Sequence, residues 1–136
     1  MKIFICSSTN FYDKIKPIKE YLEKKGYIIT LPNSYEKYFS EEKERKLTRE
    51  EHISTYRELF KLQEQKVKDN DAILVLNLEK NGIKNYVGGS VFLEMFKAFE
   101  LDKKIFLYNS IPESILSDEI IAFDPIILNG DLDKIQ

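Results

Sequence analysis

Apolar residues recur along this chain in two spacings. Five short runs are continuous or nearly so: Lys2-Ile-Phe-Ile-Cys6, Tyr27-Ile-Ile-Thr-Leu31, Asp71-Ala-Ile-Leu-Val-Leu76, Lys104-Ile-Phe-Leu-Tyr108 and Pro125-Ile-Ile-Leu128. Runs of this length, bounded by small polar residues, prolines or glycines, predict buried strands. Between them the spacing changes to three and four. Ile15, Ile18, Tyr21 and Leu22 place one apolar stripe on a helix from Tyr12 to Lys25, with Pro17 in its first turn and Gly26 just past its end. Thr48-Arg-Glu-Glu51 is a capping box, and it opens a helix to about Lys68 with a stripe at Ile53, Tyr56, Phe60 and Val67. A third helix is predicted from Gly88-Gly89-Ser90 to about Leu101. Residues 33–47 show no period, and the charged stretch Glu41–Arg49 reads as a candidate flexible insertion.

Strands alternating with helices imply a parallel sheet covered on both faces. Right-handed crossovers then favour an α/β, flavodoxin-like (Rossmann-like) doubly wound sheet of five parallel strands, order 2-1-3-4-5. The 136 residues fit one domain, 1–136, with no repeat or linker.

Composition narrows the functional classes. With 23 acidic and 21 basic side chains, a net charge of −2 argues against a broad footprint for polymeric nucleic acid or an anionic membrane. No apolar run approaches the ~18 residues of a membrane span, and Met1-Lys2 leads into a strand rather than a signal peptide. The expectation is a soluble cytoplasmic domain. Cys6 is the only cysteine, so the chain has no internal disulfide or cysteine-based zinc site, and no His/Cys/carboxylate spacing suggests a metal. No metal or redox cofactor is implied.

In a doubly wound sheet, ligands bind beyond the carboxyl ends of the strands, near the switch between the first and third. The loops that meet there are Cys6–Asn10 and Asn77–Ser90, both rich in hydroxyls, amides and glycine. Ser7, Ser8 and Thr9 can meet a sugar or phosphate, or can simply cap the next helix. Gly88-Gly89 can form a tight turn with positive φ, let a ligand approach the backbone, or both. It is neither a Walker loop nor a dinucleotide fingerprint. On the helix that follows, Val91, Phe92, Met95, Phe96, Ala98 and Phe99 make a wide apolar arc, with Glu94, Lys97 and Glu100 opposite. Glu94 is then either a solvated acid near the helix start or a carboxylate aimed at the pocket. Asp71 stands at the amino end of its strand, the wrong end for the default site. His52 reads as a surface residue, and Cys6 as a packed one.

The segments Lys2–Ser8, Asp71–Asn77, Tyr86-Val-Gly-Gly-Ser90, Glu94-Met-Phe-Lys-Ala98 and Lys103–Leu107 together resemble the nucleoside 2-deoxyribosyltransferase-like superfamily, over essentially the whole chain. The resemblance implies the flavodoxin-like fold and cleavage or transfer at an N-glycosidic bond. It implies that Glu94 attacks the anomeric carbon in two-step fashion, and that Asp71 assists the leaving base. The hydroxyl loop Ser7, Ser8, Thr9 and the turn hydroxyl Ser90 match the family's substrate contacts. Asn77, Asn85, Tyr86, Gly88 and Gly89 complete the expected ligand set. The implied partner is a small nucleoside or nucleoside monophosphate, handled by an N-glycosidase (a hydrolase) or a transferase. A non-catalytic nucleotide-binding or regulatory module on the same fold is the rival. Partly apolar helix faces at Leu93, Leu101, Tyr56 and Leu59 suggest a homodimer or larger homo-oligomer.

Overall fold

A computed structural model describes residues 1–39 and 46–136. Five strands, β1 (Lys2–Ser7), β2 (Ile28–Thr30), β3 (Ala72–Leu76), β4 (Lys104–Leu107) and β5 (Ile126–Ile127), form one sheet. Its order is β2-β1-β3-β4-β5 and every pairing is parallel, the doubly wound arrangement that the alternation predicts. The helices are α1 (Ile15–Lys24), α2 (Tyr35–Tyr38), α3 (Arg49–Asp69), α4 (Gly89–Glu100) and α5 (Ser117–Ala122).

The strand period of two divides the core. Phe4, Cys6, Ile73, Val75, Ile105 and Leu107 point to one face, where Val67 of α3 and Val91, Met95 and Ala98 of α4 cover them. Ile3, Ile5, Ala72, Leu74, Leu76 and Phe106 point to the other, against Ile15 and Leu22 of α1. Strands buried on both faces explain why the sequence shows continuous apolar runs rather than alternation.

Helix boundaries follow local chemistry. The capping box forms: Thr48 Oγ1 accepts from Glu51 N at 3.2 Å, and Glu51 Oε1 accepts from Thr48 N at 3.2 Å. Gly26 ends α1 at φ +93°, a conformation that would strain any side chain. The helix expected from Tyr12 begins instead as a short 3-10 helix, Thr9–Lys14, running into α1, because Ser8 caps it from the β1 loop. Pro17 lies in the first turn of α1, where its missing N–H costs little. Of the charged stretch Glu41–Arg49, residues 41–45 lie outside the described residues, and Arg49 already begins α3. The long loop after β3 contains a two-residue turn. Asn81 and Gly82 take positive φ, and Lys80 and Ile83 exchange two backbone hydrogen bonds of 2.9 Å across it.

Asn77, a ligand candidate from its sequence position, proves to be a structural lock. It is fully buried. Its Oδ1 accepts from Asn109 N at 2.7 Å, and its Nδ2 donates to Ser110 O at 2.9 Å and Asn109 O at 3.3 Å. Asn109 Nδ2 returns a bond to Asn77 O at 3.1 Å. These bonds join the chains leaving β3 and β4. Replacing Asn77 by alanine leaves buried backbone groups unpaired, so urea unfolding of Asn77→Ala should show a loss of about 2–3 kcal/mol, with an unchanged slope.

Candidate active site

A cleft of about 280 Å³ opens at the carboxyl end of β1. That is at the lower edge of small-molecule pockets, which run from roughly 300 Å³ upward. The β1 loop forms one wall through Ser7, Ser8 and Thr9, and the first turn of α4 forms another through Gly88, Gly89 and Ser90. Tyr86 closes one side and Glu94 lies at the base. Loops far apart in sequence meet here because β1 and β3 are neighbours whose following segments diverge to opposite faces of the sheet.

Eight of the expected residues are therefore brought together: Ser7, Ser8, Thr9, Tyr86, Gly88, Gly89, Ser90 and Glu94. Three are not. Asn77 is locked in the core as described. Asn85 adopts φ +56° beside Tyr86 and does not line the cleft. Asp71 sits at the opposite end of the sheet, about 16 Å away along β3. There its Oδ2 accepts a 2.8 Å bond from Lys2 N, which holds its carboxyl below the usual carboxylate range. The role that the resemblance implied for Asp71 does not fit this placement, because a group at the amino edge of the sheet cannot reach a ligand at the carboxyl edge.

The small residues act separately. Ser8 both caps and lines: its Oγ accepts from Asn10 N at 3.4 Å and from Asn10 Nδ2 at 2.9 Å. Ser7 Oγ donates to Ser8 O at 2.8 Å. The glycine pair was expected to take positive φ, but Gly88 is extended at φ −87°, ψ 177°, and Gly89 is the first helical residue. Gly88 is closely approached by a neighbour: a β-carbon there would stand 3.1 Å from Tyr86 Oη, so the tyrosine would have to shift by a few tenths of an ångström. At Gly89 a β-carbon would meet nothing within 4 Å. No side chain caps α4, so the N–H groups of its first turn are presented at the cleft, where the helix dipole favours negative charge.

Glu94 departs most from its helical pattern. The residues of α4 that face the sheet are Val91, Glu94, Met95 and Ala98, rotated by roughly 70° from the expected apolar arc. Phe92, Phe96 and Phe99 instead gather around Phe123, with ring centroids 5.5–6.3 Å apart. Lys97 and Glu100 pair outside at 3.0 Å, as the polar face predicted. Glu94 is 6% exposed. Burial pushes its carboxyl up to about 8, partly countered by a hydrogen bond from the Cys6 thiol and by the charge of Lys66. Burial, then the proximity of Glu94, raises the Cys6 thiol well above its ordinary value. Tyr12, 4% exposed, is pushed up to about 12, by burial first and then by the charge of Glu94. At neutral pH the base of the cleft is thus largely uncharged.

The opposite wall comes from residues that sequence reasoning left out of the site. Tyr12 lines it from the 3-10 helix, Asn33 and Ser34 from the segment after β2, and Phe60 and Gln63 from α3. Tyr56 and Leu59, read as partly apolar surface suited to a partner chain, face this same cleft. The signal available in the sequence was the α3 stripe, whose exposed aromatic members exceed what the core needs. Among the described residues no group of three or more His, Cys, Asp or Glu could hold a metal ion, and no helix is long and apolar enough to cross a membrane.

Among solved structures, the chain is similar to the CMP N-glycosidase BcmB of Clostridium botulinum. The match has a TM-score of 0.55 and 14% identity, and covers 93% of this chain and 85% of that one. At this identity the likeness is one of fold. No family model and no curated protein matches the chain.

The buried acid links stability to pH. An unfolded chain releases the Glu94 proton near its ordinary value of 4.5, while the native state holds it to about 8. Stability from this group is complete below pH 4.5 and declines as pH rises through 8, by on the order of 4 kcal/mol. Glu94→Gln removes the titration. Urea unfolding across pH 5–9 should therefore show a decline in the parent protein that the variant lacks, leaving the variant the more stable of the two above pH 8.

Proposed function

We propose that this protein is an N-glycosidic bond enzyme, acting on a nucleoside or nucleoside monophosphate by hydrolysis or transfer, with Glu94 as nucleophile. The observation that carries this reading is the placement of Glu94. A single carboxyl group, almost fully buried, lies at the base of a cleft lined by hydroxyls, helix N–H groups and aromatic rings. The likeness of fold to a protein described as a CMP N-glycosidase supports the same class.

The chemistry follows from the surroundings. A carboxylate shielded from water is poorly solvated, and it favours a carbon that develops positive charge. In the first step Glu94 attacks the anomeric carbon as the C–N bond breaks. The base departs with the bonding electrons and takes a proton from solvent. In the second step water, or another base, attacks the same carbon and frees Glu94, so configuration is retained overall. Ser7, Ser8, Thr9 and Ser90 offer hydroxyls to the sugar. Tyr56, Phe60 and Tyr86 offer ring faces to the base. Leu93, Phe96 and Phe99 leave a half-exposed apolar face on α4, which supports a homodimer or larger assembly as part of the reading.

The test is release of free base from a panel of nucleosides and nucleotides, followed by chromatography. Glu94→Gln should reduce release by on the order of 10³-fold or more. Because Glu94 must be ionised to attack, kcat/KM should climb with pH towards an inflection near 8 rather than near 4.5. Tight binding without release, unaffected by Glu94→Gln, would instead identify a binding module.

Gly89 gives an independent check on where the substrate lies. Gly89→Ala introduces a methyl group into open space at a helix start, so the fold should be unharmed. A raised KM with an unaltered melting temperature is the expected result, and unchanged kinetics would place the substrate elsewhere.

A further inference from the structure

Tyr86 closes one side of the cleft from a loop, and its backbone alone does not fix its ring. A turn about its first side-chain torsion would carry the ring away from the wall it forms. Its surroundings oppose that turn from three directions. The hydroxyl lies close over Gly88, at the start of α4. Phe11, on the 3-10 helix that follows the Ser7–Thr9 loop, meets the ring edge-on with centroids 6.5 Å apart and planes at 76°. Lys80 covers a face of the ring: its Nζ stands 4.5 Å from the ring centre and donates to Tyr86 Oη at 3.5 Å. Tyr86 thus bridges the two walls of the cleft, and Lys80 is the charged group seated on that bridge.

The loop brings the two residues together. Tyr86 N donates to Leu78 O at 2.9 Å and closes the loop at its base. Lys80 and Ile83 exchange their two backbone bonds nearer the tip, across the turn at Asn81 and Gly82. Lys80 and Tyr86 therefore stand on opposite legs of one pinned hairpin. The lysine is half-buried, and among the described residues no carboxylate pairs with it. The electron-rich face of the tyrosine meets the charge instead, an attraction that strengthens where water is partly excluded.

We propose that Lys80 is a positioning residue of the site: its ammonium, seated on the Tyr86 ring, holds that ring at the cleft wall and keeps the substrate-binding form populated. This rests on the reading of the cleft as the place where substrate binds. The contacts of Lys80 are to Tyr86, so its loss falls on binding. Apparent affinity drops by the fraction of molecules whose ring has left the wall.

Two readouts test this. Fluorine NMR of protein carrying 3-fluorotyrosine follows the ring without substrate, with the Tyr86 signal assigned from Tyr86→Phe. Lys80→Met should move and broaden that signal and leave the other tyrosine signals in place. Lys80→Arg should stay near the parent, because a guanidinium also stacks on aromatic faces. In base release, Lys80→Met should raise KM by roughly two- to tenfold, with kcat and melting temperature unaltered, and Lys80→Arg should restore it. An unmoved Tyr86 signal in Lys80→Met, an equal defect in Lys80→Arg, or a moved signal with an unchanged KM would each overturn the proposal. Fluorine signals that behave as expected in a protein that releases no base would count against the N-glycosidic reading, and would leave Lys80 as the residue that holds Tyr86.

Discussion

The structure is organised around a carboxylic acid held out of water at the carboxyl edge of a parallel sheet. Glu94 occupies a position on α4 that packing geometry would give to an apolar residue, between Val91 and Met95 on the stripe that covers Phe4, Cys6 and Val75. Burial raises Cys6 and Tyr12 as well, and the proximity of Glu94 adds to both shifts. A core that keeps an acid in this position is less stable at alkaline pH than one with a neutral side chain. That conflict between folding and local polarity is the observation on which the proposed role of Glu94 rests.

The sheet topology makes this placement possible. β1 and β3 lie side by side, and their following segments leave towards opposite faces, so a gap opens between the Ser7–Thr9 loop and the start of α4. Asn77 fixes the neighbouring exit by locking the chain after β3 to the chain after β4. Tyr86, packed tightly over Gly88, sets the width of the gap from the side. α3 then lines the opening with Tyr56, Leu59, Phe60 and Gln63. Elements of the fold thus hold the acid and the start of α4 together at one cleft.

Much of this was legible in one dimension. The five apolar runs identified all five strands, and their alternation with helices gave the sheet order. The capping box at Thr48 and the helix end at Gly26 were readable because each depends on residues within a few positions of one another. So was the glycine turn as a cleft wall, although its backbone is extended rather than left-handed. Glu94 could be singled out but not settled. A 3.6-residue period places it beside Lys97 as readily as beside Met95, and the choice depends on what covers the other side of the helix. Phe123, remote in sequence, supplies that cover by drawing Phe92, Phe96 and Phe99 outward.

The sequence by itself determined the five strands, the three longer helices, the parallel topology and the loops that border the cleft, because propensity, capping and hydrophobic period are local properties. Only the tertiary structure decided which polar residues share the cleft. It removed Asp71 to the far edge, closed Asn77 into a hydrogen-bonded lock, and brought Tyr12, Phe60 and Gln63 to the cleft of a carboxyl group tens of residues away. The physical reason is that desolvation and Coulomb interaction depend on distance in space. They act between groups that separate elements bring together, and no local pattern encodes those distances.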